Sequence, residues 1–191
     1  MTHRAGGQAD CHPSDQRKEA KAAHLRPTAQ QTIGSVRVAP IRANLFLRGP
    51  LAPRNILADT GPLFALIHAG DPDHARAVQF AGTFTGLLIT TWPVVTEAAY
   101  LLDKYASRGV ERLLSMVLDD QLLVADLDAR DVEYMRRLAV KYDGMDLADA
   151  SLVTVGERLG FLDVITLDRH DFSRYRTRNR KAFTNHFPER V

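Results

Sequence analysis

From residue 54 onward, short apolar runs alternate with segments of helical period, and that rhythm leaves few folds open to the chain. The runs are "NILAD" (55–59), "LLITT" (87–91), "QLLVADL" (121–127) and "DVITL" (163–167). They are short, rich in Leu, Ile, Val and Thr, and apolar without a polar alternate, as expected of strands covered on both faces. Between them, "GPLFALIHA" (61–69) starts a helix with Pro62 in its first turn, and "DPDHARAVQFAG" (71–82) reads as a second, opened by Asp71 and Pro72 and closed by Gly82. "PVVTEAAYLLDKYA" (93–106), "GVERLLSMVLDD" (109–120), "DARDVEYMRRLAVKYDG" (128–144) and "MDLADASLVTVGERLG" (145–160) are helical, the last ending at Gly160. Strands alternating with helices predict an α/β fold with a central parallel sheet. In such sheets polar sites form beyond the carboxyl ends of the strands.

The first 53 residues do not share this rhythm. Residues 1–32 are rich in Ala, Gln, His, Lys and Arg with no sustained apolar period, the composition of a disordered segment. Residues 33–48 alternate enough for an added strand or two, and "GPLAP" (49–53) punctuates the chain as a linker. Residues 1–53 are therefore expected to be a basic N-terminal extension, and 54–191 the domain. An upstream start assignment is a further reading of the extension, and an intact mass of the natural protein tests it. The overall charge of +2 conceals the division. Residues 1–53 carry 8 Lys and Arg against 3 Asp and Glu, and the remainder carries 17 against 20. A second basic cluster comprises Arg169, Arg174, Arg176, Arg178, Arg180 and Lys181. Such clusters bind polyanions or simply solvate a surface. The single cysteine, Cys11, allows no intrachain disulfide and no cysteine zinc site, which suits a reducing cytoplasm. No apolar stretch is long enough to span a membrane.

Four acids stand out on this frame. Asp59 ends the first strand, and Asp168 follows the last. Glu97 has Pro93, Val94, Tyr100 and Leu101 at helical spacing, and Asp149 has Met145, Leu152 and Val153. Both are expected on buried helix faces that pack on the sheet, where a carboxylate is costly unless paired or bound to a cation. Each acid also has a plainer reading: a helix cap for Asp59, a solvent-turned boundary residue for Glu97, a dipole partner for Asp149 and a turn for Asp168. Together, two strand-end acids and two sheet-facing helix acids can converge at one sheet edge. Converging carboxylates repel, and a divalent cation relieves that repulsion. Oxygen-only ligation with retained waters suits Mg²⁺ or Mn²⁺, and such a site fits phosphodiester hydrolysis.

The motifs "LADTGPL", "TEAAYLL", "MDLADASLV" and "ITLDRHDF", in this order and spacing, resemble those of the PIN-domain ribonucleases, in particular the VapC-like toxins of bacterial toxin–antitoxin pairs. The resemblance spans roughly residues 55–187. It implies a three-layer α/β/α sandwich, Mg²⁺- or Mn²⁺-dependent endoribonuclease activity, frequent dimerisation and a cognate antitoxin. Carried over by position, it implies Asp59, Glu97, Asp149 and Asp168 as the catalytic acids. Asp59 and Asp149 would hold the metal directly, with Glu97 and Asp168 acting through water or a second ion. Thr60, Thr166 and Asp146 would support them, and Asp146 equally suits a helix N-terminus. Arg174, Arg176 and Arg178 are weaker candidates for contact with RNA phosphates. Asp171 and Phe172 are expected to turn and anchor their segment, and His170 to lie at the surface. Trp92 and Tyr100 are expected in the core ahead of a base-stacking role.

Other functions fit less well. The lone "DTG" lacks the second copy and β-rich pattern of an aspartic protease. Gly61 stands where an aspartyl-nucleophile phosphatase would place a second acid. No Gly-rich phosphate loop supports an NTPase. The expected function is a metal-dependent RNA-cleaving toxin that uses water as nucleophile. The alternatives are a non-catalytic RNA- or protein-binding module on the same fold, or another metal-dependent phosphohydrolase.

Overall fold

The structure is a computed structural model, and residues 55–189 are described. The expected N-terminal extension lies outside the described residues. Five parallel strands form one sheet in the order β3-β2-β1-β4-β5. They are β1 (Asn55–Ala58), β2 (Leu87–Thr91), β3 (Leu122–Ala125), β4 (Asp163–Ile165) and β5 (Thr184–Asn185). Among the described residues seven helices connect and cover them: α1 (Thr60–Ile67), α2 (His74–Thr83), α3 (Trp92–Tyr105), α4 (Gly109–Leu118), α5 (Ala129–Lys141), α6 (Leu147–Leu159) and α7 (Arg169–Arg174). The result is a three-layer α/β/α sandwich.

β1 lies at the centre, with Leu57 level with Ile89 on one side and Val164 on the other. Ile56, Leu57 and Ala58 are buried, which is why that strand reads as an unbroken apolar run. The chain adds β2 and then β3 on one side of β1, and β4 and β5 on the other. The order therefore reverses between β1 and β4, and the crevice above their carboxyl ends is where an α/β sheet opens a site.

α6 is the innermost helix, with every residue from Ala148 to Gly156 buried. A helix buried all round needs small side chains where it meets the sheet. A Cβ at Gly156 would stand 2.7 Å from Leu57 Cδ1 and 2.8 Å from the Phe161 carbonyl, so only glycine lets α6 sit this close to β1. The helix ends at Gly160 in the left-handed conformation. α5 starts with a capping box between Asp128 and Asp131.

The structure departs from the sequence expectations at α2, α7 and β5. α2 begins at His74, not at Asp71, because Asp71 accepts the Asp73 amide and closes a turn before the helix. It runs one residue past Gly82. α7 and β5 were not expected. α7 is a helix of 6 residues inside a segment read as a turn, and β5 is only 2 residues long, too short for any periodicity. β5 is secured by its flanks, because Phe183 and Phe187 are buried with Phe172 and Tyr175.

Candidate active site

Asp59 is the residue after β1 and the cap of α1. Its Oδ1 accepts the Thr60 amide at 2.7 Å, and its Oδ2 accepts the Thr166 hydroxyl at 2.7 Å. Thr166 follows β4, is fully buried, and also accepts the Asp168 amide at 2.9 Å. One threonine therefore ties the two strand ends of the crevice together. Asn185 in β5 holds that threonine in turn, donating to its carbonyl at 3.0 Å and accepting its amide at 3.3 Å. The cap reading of Asp59 is correct as far as it goes, and its second oxygen faces across the crevice to Thr166.

Asp149 lies in the first turn of α6 and is buried. Tyr175, itself 1% exposed, donates its hydroxyl to Asp149 Oδ2 at 2.8 Å. The Tyr175 ring is wedged edge-on between Tyr142 and Phe172, at 5.2 and 5.4 Å. Asp146 caps α6 by accepting the Asp149 amide at 2.8 Å, so it serves as the helix-terminus acid while adding charge beside Asp149.

Glu97 requires a correction. It is exposed, because the buried face of α3 is Val94, Val95, Ala98 and Leu102, and Glu97 lies off that stripe. It still turns toward Asp59, accepting the Thr60 hydroxyl at 2.8 Å. Asp168 is also exposed; it caps α7 by accepting the Asp171 amide at 2.9 Å. The acids thus divide into two buried members, Asp59 and Asp149, and two at the rim.

Burial pushes the Asp59 carboxyl up to about 6 against the lowering hydrogen bonds from Thr166 and Thr60, and the charges of Glu97 and Asp146 add to the rise. Burial likewise pushes Asp149 up to about 7, opposed by the Tyr175 hydrogen bond and reinforced by Asp146, Asp59 and Asp168. Tyr175 is held above the usual phenol range, first by burial and then by its bond to Asp149. The two buried acids therefore feel the charges around them: Glu97 and Asp146 act on Asp59, and Asp146, Asp59 and Asp168 act on Asp149.

The chain shares 30% identity over 135 residues with Ribonuclease VapC26 of Mycobacterium tuberculosis, an alignment covering 68% of this chain and 98% of the relative. The chain belongs to the VapC ribonuclease family. Its fold is also similar to a crystal structure of Mycobacterium tuberculosis VapC20, described as a sarcin–ricin loop cleaving toxin. The TM-score is 0.56 at 23% identity, over 60% of this chain and 91% of that one. No family model matches the chain.

Within this VapC-type domain, the donor set of the crevice is all carboxylate and hydroxyl oxygen. Among the described residues, no three His, Cys, Asp or Glu side chains form a ready-made cage. Such a set fits a hard cation that keeps most of its waters and takes one or two carboxylates, which is how Mg²⁺ is commonly bound. The two buried carboxyls, both raised by burial and by neighbouring carboxylates, are the ones suited to hold it.

The remaining expectations divide. Phe172 is a buried anchor and His170 is at the surface. Asp171 pairs with Arg174 at 3.0 Å and with His170 at 3.1 Å. Arg176 donates to the carbonyls of Ser173 and Tyr175. Arg178 pairs with Glu157 near the far end of α6 and lies over the Tyr134 ring at 3.9 Å, so it is not gathered with the acids. Trp92 and Tyr100 are not in the core: they are 52% and 60% exposed, since both fall outside the α3 stripe. Two residues that hold the crevice together, Tyr175 and Asn185, had no sequence signal. Tyr175 is hidden in a run of arginines, and Asn185 lies on the strand that had no visible period.

Proposed function

We propose that the chain is a divalent-metal-dependent endoribonuclease whose reaction centre is the crevice between β1 and β4, and that it acts as a cytoplasmic toxin restrained by a partner antitoxin. The observation that carries this reading is the pair of buried carboxyls, Asp59 and Asp149, raised to about 6 and about 7 at the topological switch point of the sheet. Asp59 and Asp149 hold the metal, and Glu97 and Asp168 complete the pocket from the rim. When bound, a Mg²⁺ or Mn²⁺ ion supplies charge neutralisation for the attacking and leaving oxygens of a phosphodiester.

The protein's own groups supply order. Thr60 and Thr166 fix both oxygens of Asp59 through an amide and a hydroxyl. Tyr175 fixes one oxygen of Asp149 and so presents the other. Thr60 links Glu97 to the same turn. Water attacks phosphorus in line, leaving a 5′-phosphate and a 3′-hydroxyl. Homodimerisation and the antitoxin partner follow from family membership and belong to this proposal.

Purified full-length chain is incubated with RNA, single-stranded DNA and a small phosphoester, each with Mg²⁺, Mn²⁺ or EDTA. RNA is cleaved with either metal and spared by EDTA. Asp59→Asn and Asp149→Asn lose at least about 100-fold, beyond the 10–100-fold that removing an outer partner of a metal ligand costs. Equal cleavage by wild type and Asp59→Asn defeats the assignment of the crevice. Turnover of the small phosphoester without RNA cleavage points instead to a different phosphohydrolase.

A further inference from the structure

Glu97 belongs to two features at once. It reaches Thr60 at the acidic crevice, and it forms part of the wall of a groove of about 640 Å³ between α3 and the start of α6. Trp92, Tyr100 and Leu147 are the large apolar groups of that groove, and all three are more than half exposed. Exposed aromatics of this size are costly on a surface that nothing covers. Asp146, the α6 cap that accepts the Asp149 amide, also lines the groove. Lys104 lies over the Tyr100 ring at 4.0 Å.

We infer that this groove is the base-binding subsite for single-stranded RNA, in which unpaired bases adjoining the scissile phosphate stack on Trp92 and Tyr100. The inference rests on the ribonuclease reading of the crevice. Three observations favour a nucleic acid strand over a protein segment. The groove is continuous with the crevice through Glu97 and Asp146, so a strand whose phosphate lies at the acids has its neighbouring bases at the groove. An apolar helix or a second copy laid there would draw those two carboxylates into a dry contact, which is costly. Lys104 covers one face of the Tyr100 ring, which leaves the opposite face for a base and sets a cation beside it for a phosphate further along the strand.

The dimensions agree. Trp92 and Tyr100 stand eight residues apart on one helix, about 12 Å along its axis. That is room for two or three bases at the roughly 3.4 Å spacing of a stacked strand. Thr96, between them, spends its hydroxyl on the Trp92 carbonyl at 2.8 Å. Recognition here is therefore by stacking, which every base offers and larger bases offer more of.

Trp92 is the only tryptophan in the chain, so its fluorescence reports on the groove alone. Full-length chain carrying Asp59→Asn, which keeps RNA intact, is titrated in Mg²⁺ with short oligouridylate, oligoadenylate and an abasic ribose-phosphate oligomer. Base-bearing oligomers quench Trp92, and oligoadenylate binds the more tightly. The abasic oligomer leaves Trp92 unquenched and binds more weakly. Tyr100→Ala weakens oligoadenylate by about tenfold, and Tyr100→Phe does not. In the otherwise wild-type chain, Tyr100→Ala raises KM for RNA and leaves kcat nearly unchanged, the mark of lost uniform binding.

Bound RNA with unquenched Trp92, or unchanged affinity in Tyr100→Ala, overturns the subsite while wild-type RNA cleavage keeps the ribonuclease reading standing. Absence of RNA cleavage by the wild-type chain overturns both. Conversion of a dimer to a monomer by Tyr100→Ala, with RNA affinity unchanged, identifies a second copy as the occupant and also overturns the subsite.

Discussion

A buried carboxyl with a raised pKa makes stability depend on pH in a definite direction. Asp59 and Asp149 bind their protons more tightly folded than unfolded. Below the unfolded value of 3.8 both states are protonated and their contribution is fully present. As pH rises through the folded values of about 6 and about 7, that contribution is lost. For Asp59 the loss is on the order of 3 kcal/mol. Metal-free protein is therefore expected to be less stable at pH 8 than at pH 5 in chemical denaturation with EDTA. Mg²⁺ restores stability at pH 8 and adds little at pH 5, where protons occupy the same oxygens. Tyr175→Phe sharpens the test: it removes the one side-chain donor that lowers Asp149 while leaving the ring packed on Tyr142 and Phe172. Its expected result is a chain that folds but binds Mn²⁺ about 10–100-fold more weakly by calorimetry, the cost of losing an outer partner of a metal ligand. Stability that rises from pH 5 to pH 8 without metal contradicts the raised carboxyls.

At the level of elements, the crevice depends on how closely the β1–α1 turn approaches the loop after β4. A Cβ at Gly61 would lie 2.9 Å from Leu167 Cδ1 and 3.1 Å from its Cβ and Cγ. Gly61 is therefore present for space, to let α1 start against the loop that carries Thr166 and Asp168. Alanine is the better helix former by about 1 kcal/mol, so Gly61→Ala need not destabilise the helix itself. It is expected to push Leu167 outward and lower RNA cleavage severalfold, with little change in melting temperature. Leu167→Ala, which removes the colliding atoms, is expected to recover much of that loss in a double-mutant cycle, and independent effects of the two changes would refute the coupling. The same elements explain what the sequence made legible. β1 to β4 and α3 to α6 announced themselves because each repeats an apolar pattern over enough residues to be read. Asp149 was legible as a buried acid because Leu152 and Val153 mark its face. Glu97 was misread because Tyr100 and Leu101 look like a core stripe, whereas Val95, Ala98 and Leu102 carry the burial. Trp92 and Tyr100 failed for the same reason: an aromatic set aside for the surface has the same periodicity as one set aside for the core. Tyr175 and Asn185 act through contacts made across 26 and 19 residues of sequence, which no local pattern records.

For the whole molecule, the unequal charge of its two parts sets the remaining prediction. VapC26 is matched over 98% of its length by 68% of this chain, so about a third of this chain lies outside that alignment. The described residues 55–189 hold a five-stranded sheet, a hydrophobic core and all five acids of the crevice. No helix among them is long and apolar enough to cross a membrane. A chain starting at residue 54 is thus expected to fold with a melting temperature within a few degrees of the full chain and to cleave RNA at a similar kcat. The difference belongs to binding. Residues 1–53 carry 8 basic against 3 acidic side chains and precede a domain with an acidic excess. If that arm meets RNA, it does so through phosphates, and each phosphate neutralised on a single strand steepens the dependence of log affinity on log salt by about 0.7. The full chain is therefore expected to bind RNA more tightly than the shortened one at low salt, with the two affinities converging as salt is raised. Parallel salt slopes for the two chains rule out an RNA-binding arm. A shortened chain that fails to fold places part of the domain's support upstream of residue 54.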